Sequence, residues 1–145
     1  MREWVQARGG SVDTLPVSPE GLVDSEQLEA MLRPETALVS LLWVGNETGV
    51  IQPIPHIASR LRKKGIPLHV DAAQAWGKLP IDLERLSVSY LSVSGHKIGA
   101  PAGTGALWLG RGVPLSAVIL GKQDKGRRGG TENLLGWAGL GKAAE

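Results

Sequence analysis

Lys97 closes the tetrad Ser94-Gly95-His96-Lys97, and Asp71-Ala72-Ala73-Gln74 stands upstream of it. An amine can condense with a carbonyl, a carboxylate can hold a cationic ring nitrogen, and amides, hydroxyls and imidazoles can bond a neutral oxygen or a phosphate. With Asn46 added, these residue types suit a ligand that carries an aldehyde, a ring nitrogen, a phenolic oxygen and a phosphate. Taken singly, each has a plainer reading. The tetrad is an ordinary turn sequence, Asp71 a helix cap, Gln74 a surface residue and Asn46 a turn former ahead of Gly49.

What joins them is the order of the elements that must position them. Asp24 to Met31 is expected as a short helix, with Asp24 as cap, Leu28, Met31 and Leu32 at helical spacing and Pro34 as the stop. The run from Ala37 to Val44 is nearly all apolar, which predicts a central parallel strand buried on both faces. After the turn at residues 45–49, Pro53 opens a helix with Ile54, Ile57, Ala58 and Leu61 on one face, and Gly65 ends it. Pro67 to Val70 is the next strand and stops at Asp71. Strand, helix and strand in this order form a right-handed βαβ unit with parallel strands.

Ser89 to Val93 forms a further strand, with residues 94–97 just past its end. Residues 103–109 and 115–120 read as two more strands, and Thr131 as the cap of a helix that runs to the last residue. Gly136, Gly139 and Gly141 weaken the intrinsic propensity of that helix. The fold class is therefore α/β, a mainly parallel sheet flanked by helices. Ligands of open α/β sheets bind outside the carboxyl ends of the strands. That edge receives Asn46 from one strand, Asp71 and Gln74 from the next, and Ser94, His96 and Lys97 from a third.

Composition narrows the function classes. A chain of 145 residues with 42% hydrophobic content makes one domain or part of one. Its 20 glycines and 9 prolines argue against a helical bundle. Cysteine is absent, so disulfides, thiolate metal sites and a thiol nucleophile are all excluded from these residues. Net charge is only +2 and no aromatic residues interleave with the basic clusters at residues 60–64 and 122–128, which argues against nucleic acid as a partner. No apolar run approaches a membrane span and no signal-peptide core is visible, so the expectation is a cytoplasmic protein with no membrane partner. The three histidines lack ligand spacing, so no metal site is expected. His69 reads as a packed strand histidine, and His56 as an exposed helical one.

In sequence order, these residues resemble the cysteine desulfurases, pyridoxal-phosphate-dependent proteins within the class V aminotransferase group of the type I fold. Val44 to Gln52 resembles that family's N-E-x-G-x-x-Q segment, and His69 to Gln74 its H-V-D-A-x-Q segment. Lys78 to Asp82 and Ser94 to Lys97 follow in the family's order. Gly126 to Asn133 resembles G-x-R-S-G-T-x-N, with Gly129 in the serine position. The likeness covers nearly the whole chain from Val39 onward.

The resemblance implies that Lys97 holds pyridoxal 5'-phosphate covalently and later moves protons, and that Asp71 pairs with the pyridine nitrogen. It implies Asn46 and Gln74 on the phenolic oxygen, Ser94 and His96 on the phosphate, and Thr131 on the phosphate of a neighbouring subunit, hence a homodimer. Arg128 is assigned to supporting that last loop. An imine-forming lysine must be partly neutral, which burial near a cationic cofactor favours.

By the same resemblance, L-cysteine is the substrate. Its sulfur leaves as a persulfide destined for iron–sulfur cluster or thio-cofactor synthesis, with a sulfur-acceptor protein downstream. Residues 1–145 are expected to be a partial large domain without the N-terminal phosphate-loop segment and the C-terminal small domain. With no cysteine in the chain, the family reaction is expected to need a complementing polypeptide. The alternatives are a noncatalytic remnant acting as a dimerisation or binding module, and a related aminotransferase or selenocysteine lyase. Asn46-Glu47-x-Gly49 and Arg128 to Asn133 favour the desulfurase branch.

Overall fold

The computed structural model describes residues 2–145. Its elements are helix α1 (Arg2–Gln6), α2 (Ser25–Met31), strand β1 (Val39–Leu42), α3 (Ile54–Lys63), β2 (Leu68–Asp71), β3 (Tyr90–Ser94), a 3-10 turn (Gly95–Ile98), β4 (Gly105–Leu109), α4 (Gln123–Gly126) and α5 (Leu134–Ala144). The four strands form one sheet in the order β1-β2-β3-β4. β1, β2 and β3 are parallel and β4 runs antiparallel to β3. The expected α/β architecture is thus present, built around β1-α3-β2.

Local chemistry explains where the elements begin and end. Asp24 caps α2 by accepting from the backbone N–H groups of Glu26 and Gln27. α3 starts behind Pro53 and stops where Gly65 takes φ +69°, a conformation that costs glycine nothing. Its apolar residues Ile54, Ile57, Ala58 and Leu61 are no more than 1% exposed and pack over Leu68 and Val70 of β2. That face of the sheet is the core. Glu29 of α2 bonds Arg60 and pairs with Lys64 at 3.2 Å, tying α2 to the end of α3. Hydrogen bonding from Arg60 holds the Glu29 carboxyl below its ordinary range. Gln52 is buried because its amide accepts from Val23 N and donates to Gly21 O, anchoring the chain that leads into α2.

The elements depart from the sequence expectations at three places. β1 is an edge strand, not a central one: among the described residues nothing pairs with its outer side, and Leu42 is 56% exposed. Residues 115–120 form no strand. Their backbone is engaged elsewhere, with Gly129 N–H donating to Ile119 O at 2.7 Å, while Val118 and Leu120 stand in solvent. The last helix is capped by Asn133, whose side chain accepts from Gly136 N at 3.0 Å, and Thr131 lies outside it. An amide two residues nearer the helix reaches the orphan N–H groups that Thr131 cannot. Helix α1 has no apolar face that buries anything, and the sequence offered no period for it.

Two measurements check this packing. Ile57→Ala removes a fully buried side chain from the α3–sheet interface and should lower unfolding free energy by about 2–4 kcal/mol in urea denaturation. The exposed apolar side chains of Val118, Ile119, Leu120, Leu134, Leu135 and Trp137 should make the isolated chain self-associate. Sedimentation velocity at micromolar concentration should show oligomers, and a monodisperse monomer would contradict that expectation.

Candidate functional site

Backbone ladders bring the three polar strand ends to one edge. Beyond β1, Trp43 N–H donates to Asp71 O at 2.9 Å, and Ala72 N–H donates to Ser92 O at 2.8 Å. The parallel register therefore continues past the last strand residues. Gly45 N–H donates to Val50 O at 2.9 Å and Gly49 takes φ +71°, closing the turn that carries Asn46. Asp71 Oδ1 accepts from Ala73 N–H at 2.9 Å, which turns the chain so that Gln74 follows on the same side.

The side chains of these ends meet. Lys97 Nζ lies 3.3 Å from Asn46 Oδ1, and the Gln74 amide nitrogen donates to the same oxygen. Gln74 Oε1 in turn accepts from Lys78 Nζ at 3.2 Å. Ser94 Oγ and His96 Nδ1 form a second pair at 2.9 Å. Lys97 and His96 are exposed, contrary to the burial expected for an imine-forming amine. The physical reason is position: the 3-10 turn follows the sheet edge, and α5 packs against its Gly95 while Lys97 and His96 stay open to solvent. Thr131 is also exposed, and among the described residues no hydrogen bond joins it to the cluster. Arg128 folds onto its own loop, donating to Gly129 O and Gly130 O.

Sequence reasoning missed what holds the lysine turn. Gly95 N–H donates to Thr104 O, Ala100 N–H to Gly95 O, and Thr104 Oγ to Pro101 O at 2.6 Å. α5 lies directly against this knot. A Cβ at Gly95 would stand 2.3 Å from Thr104 Oγ1 and 2.9 Å from Leu140, one at Gly136 would meet Thr104 Cγ2 at 2.7 Å, and one at Gly139 would meet Pro101 at 2.7 Å. Gly136 and Gly139 are thus a packing face. Their i, i+3 spacing was the available signal. Lys78 was missed as well, though it stands four residues after Gln74, one helical turn on.

An open cleft of about 900 Å3 lies elsewhere. It is lined by Arg62, Ile66, Pro67, Ser89, Trp108 and Arg111 at the amino ends of β2 and β3, opposite the lysine. Among the described residues no group of three or more His, Asp or Glu side chains is placed to hold a metal ion. No helix among them is long and apolar enough to cross a membrane.

Comparison with known proteins gives this geometry a family. The aminotransferase class-V family matches residues 1–145. The chain belongs to the class V aminotransferases. A cysteine desulfurase of Nostoc sp. is 45% identical over 142 residues, which is 97% of this chain and 36% of that protein. Among solved structures, a NifS-like protein superposes with a TM-score of 0.93 at 38% identity, covering 98% of this chain and 40% of its own. SspA in complex with cysteine superposes with a TM-score of 0.92 at 38% identity, covering 98% and 42%. The chain thus spans little more than a third of the length of the curated relatives it matches.

Class V aminotransferases and cysteine desulfurases depend on pyridoxal phosphate. The donor set fits that group. It contains an accessible amine, a carboxylate at a strand end, two amides bonded to each other, and a hydroxyl–imidazole pair at the start of a turn. Asn46 Oδ1 already collects two donors, so a phenolic oxygen could take over either of them without new backbone movement.

The α5 contact is testable. Gly95→Ala forces Thr104 or α5 to shift and should cost about 1–3 kcal/mol in denaturant unfolding. Gly141→Ala meets nothing within 4 Å and should be neutral or stabilise by up to about 1 kcal/mol through helix propensity.

Proposed function

We propose that this chain is the pyridoxal-phosphate-binding part of a cysteine desulfurase acting on L-cysteine. The observation that carries the reading is the convergence of Lys97, Asn46 and Gln74, from three separate strand ends, on one hydrogen-bonded oxygen. The desulfurase relatives and the neighbour solved with cysteine support the substrate assignment.

In this reading Lys97 Nζ is the amine that holds the cofactor's aldehyde carbon, and the base that moves a proton at the substrate Cα. When bound, pyridoxal phosphate supplies an electron-withdrawing pyridinium ring that stabilises negative charge at that carbon. Asp71 accepts the ring N–H and keeps the ring cationic. Asn46 and Gln74 orient the phenolic oxygen through their amides, and Ser94 and His96 hold the phosphate. Thr131, which points to solvent, is assigned to the phosphate of a second copy, so the working unit is a homodimer. Lys78 positions Gln74 by occupying its Oε1.

Sulfur removal needs a thiolate that attacks the substrate sulfur, forming an S–S bond as the C–S bond breaks, while Cα and Cβ take up the protons that make alanine. Residues 1–145 contain no cysteine, so that thiolate comes from outside them. The persulfide then passes to an acceptor protein. We take the compartment to be the cytoplasm, where thiols stay reduced.

Incubation of the purified chain with pyridoxal phosphate should give a yellow adduct that borohydride fixes on Lys97, located by peptide mass mapping. Lys97→Ala should abolish it. Asn46→Ala and Gln74→Ala should each weaken cofactor binding by about tenfold, the worth of one hydrogen bond. No adduct on Lys97 would reject the reading and leave a noncatalytic binding module. Sulfide release from L-cysteine after adding a cysteine-bearing complementing polypeptide tests the activity itself.

A further inference from the structure

None of the roles above uses His69, yet its ring is hydrogen-bonded on both sides. On the sheet face away from α3, three neighbouring strands set Ser40, His69 and Ser92 in a row. Ser40 Oγ lies 2.8 Å from Nδ1, and Ser92 Oγ lies 3.1 Å from Nε2. His69 pairs in register with Ser40 and Tyr90, and Asp71 with Leu42 and Ser92. His69 and Asp71 are two residues apart on one strand, so they share a face about 7 Å apart.

A neutral imidazole has one donor and one acceptor, and two hydroxyls satisfy both. A protonated ring would place a charge on a half-buried side chain whose hydrogen-bond partners are both neutral. Burial pushes the imidazole below the ordinary histidine range, against the opposing pull of the Asp71 charge. The other groups facing it leave this balance alone. Tyr90 on β3 donates its hydroxyl to Pro114 O at 2.8 Å, and Asp13, which lines the groove beside Ser40, is paired with Arg33.

We propose that His69 is a positioning residue for Asp71: an uncharged spacer, pinned to β1 and β3, that leaves the Asp71 carboxylate as an unneutralised anion for the cationic ring nitrogen of the ligand. The inference rests on the cofactor reading given above. A cation at position 69 would pair with Asp71 and repel a pyridinium beside it. The serine row also holds the three strand ends side by side, immediately below the residues they present.

The test uses the full chain and pyridoxal phosphate as probe. Histidine-ring NMR should show His69 titrating below the histidines of the urea-unfolded chain. A midpoint at or above theirs would overturn the proposal whether or not any variant folds. Cofactor dissociation constants are then compared at about pH 7.5 and at a pH below the His69 midpoint that the titration gives, a span in which this histidine changes charge. Acid protonates His69 and gives Asp71 a competing cation, so the wild-type constant should rise about three- to tenfold more than that of His69→Gln. Equal rises in the two proteins, with folding verified by circular dichroism, overturn this inference alone. Absence of binding at both pH values overturns the cofactor reading, and the inference with it.

Discussion

The parallel backbone ladder of β1, β2 and β3 is the constraint on which everything else in this chain depends. Its rungs do not stop with the strands: Trp43 N–H still donates to Asp71 O and Ala72 N–H to Ser92 O. Those two bonds carry the register into the loops, so Asn46, Asp71 and Lys97 start from fixed backbone positions. A slip of one residue in β2 would turn Asp71 to the α3 face and Val70 to the solvent face. The apolar face forbids that slip. Val70 and Leu68 are essentially inaccessible beneath Ile57 and Leu61, and exchanging them for His69 and Asp71 would bury two polar groups without partners. Core packing thereby selects the register, and the register aims the site.

A second level of positioning comes from α5. The helix bears glycines where it meets the lysine turn, and each occupies space that a methyl group would contest. Close approach lets the knot of Gly95, Ala100, Pro101 and Thr104 hold the 3-10 turn from behind while Lys97 stays free in front. The cost is intrinsic helix propensity, roughly 1 kcal/mol for each interior glycine relative to alanine. A helix that pays this in several places is retained for contact geometry, not for its own stability.

The sequence was most legible where one physical signal dominated. Ile54, Ile57, Ala58 and Leu61 at helical spacing between two apolar runs revealed β1-α3-β2, and with it the edge at which polar residues gather. The cluster of Asn46, Gln74 and Lys97 followed from strand ends alone. Residues 115–120 misled because an apolar, β-branched run reads as a strand, whereas a strand also needs a neighbour. Here a glycine of the 121–130 loop takes the Ile119 carbonyl instead. β1 misled for a related reason, since an all-apolar run signals two covered faces without saying which element covers them. Thr131 was a fair cap by type, but Asn133 wins by distance. The α5 glycines looked like weaknesses because a one-dimensional reading sees propensity before it sees close packing. His69 was read as a packed histidine, which it is, but its two serine partners come from strands separated in sequence by 29 and 23 residues.

Apolar surface is unevenly distributed over the molecule. Around α3 the side chains are sealed. By contrast, Leu42 at the open edge of β1, Val118 and Leu120 of the 115–120 run, and Leu135 of α5 stand largely in water. Lys97, Asn46 and Thr131 are exposed as well. A ligand bound at Lys97 would touch groups whose positions are set by the sealed core, while its outer side would face the surfaces that a second chain would cover. Any partner that binds those surfaces and encloses the lysine would also strengthen each electrostatic contact at the site by excluding water. Under the proposed reading, cofactor affinity and association would then be coupled. Each stabilises the state the other prefers, by an amount fixed by their shared preference for the covered form.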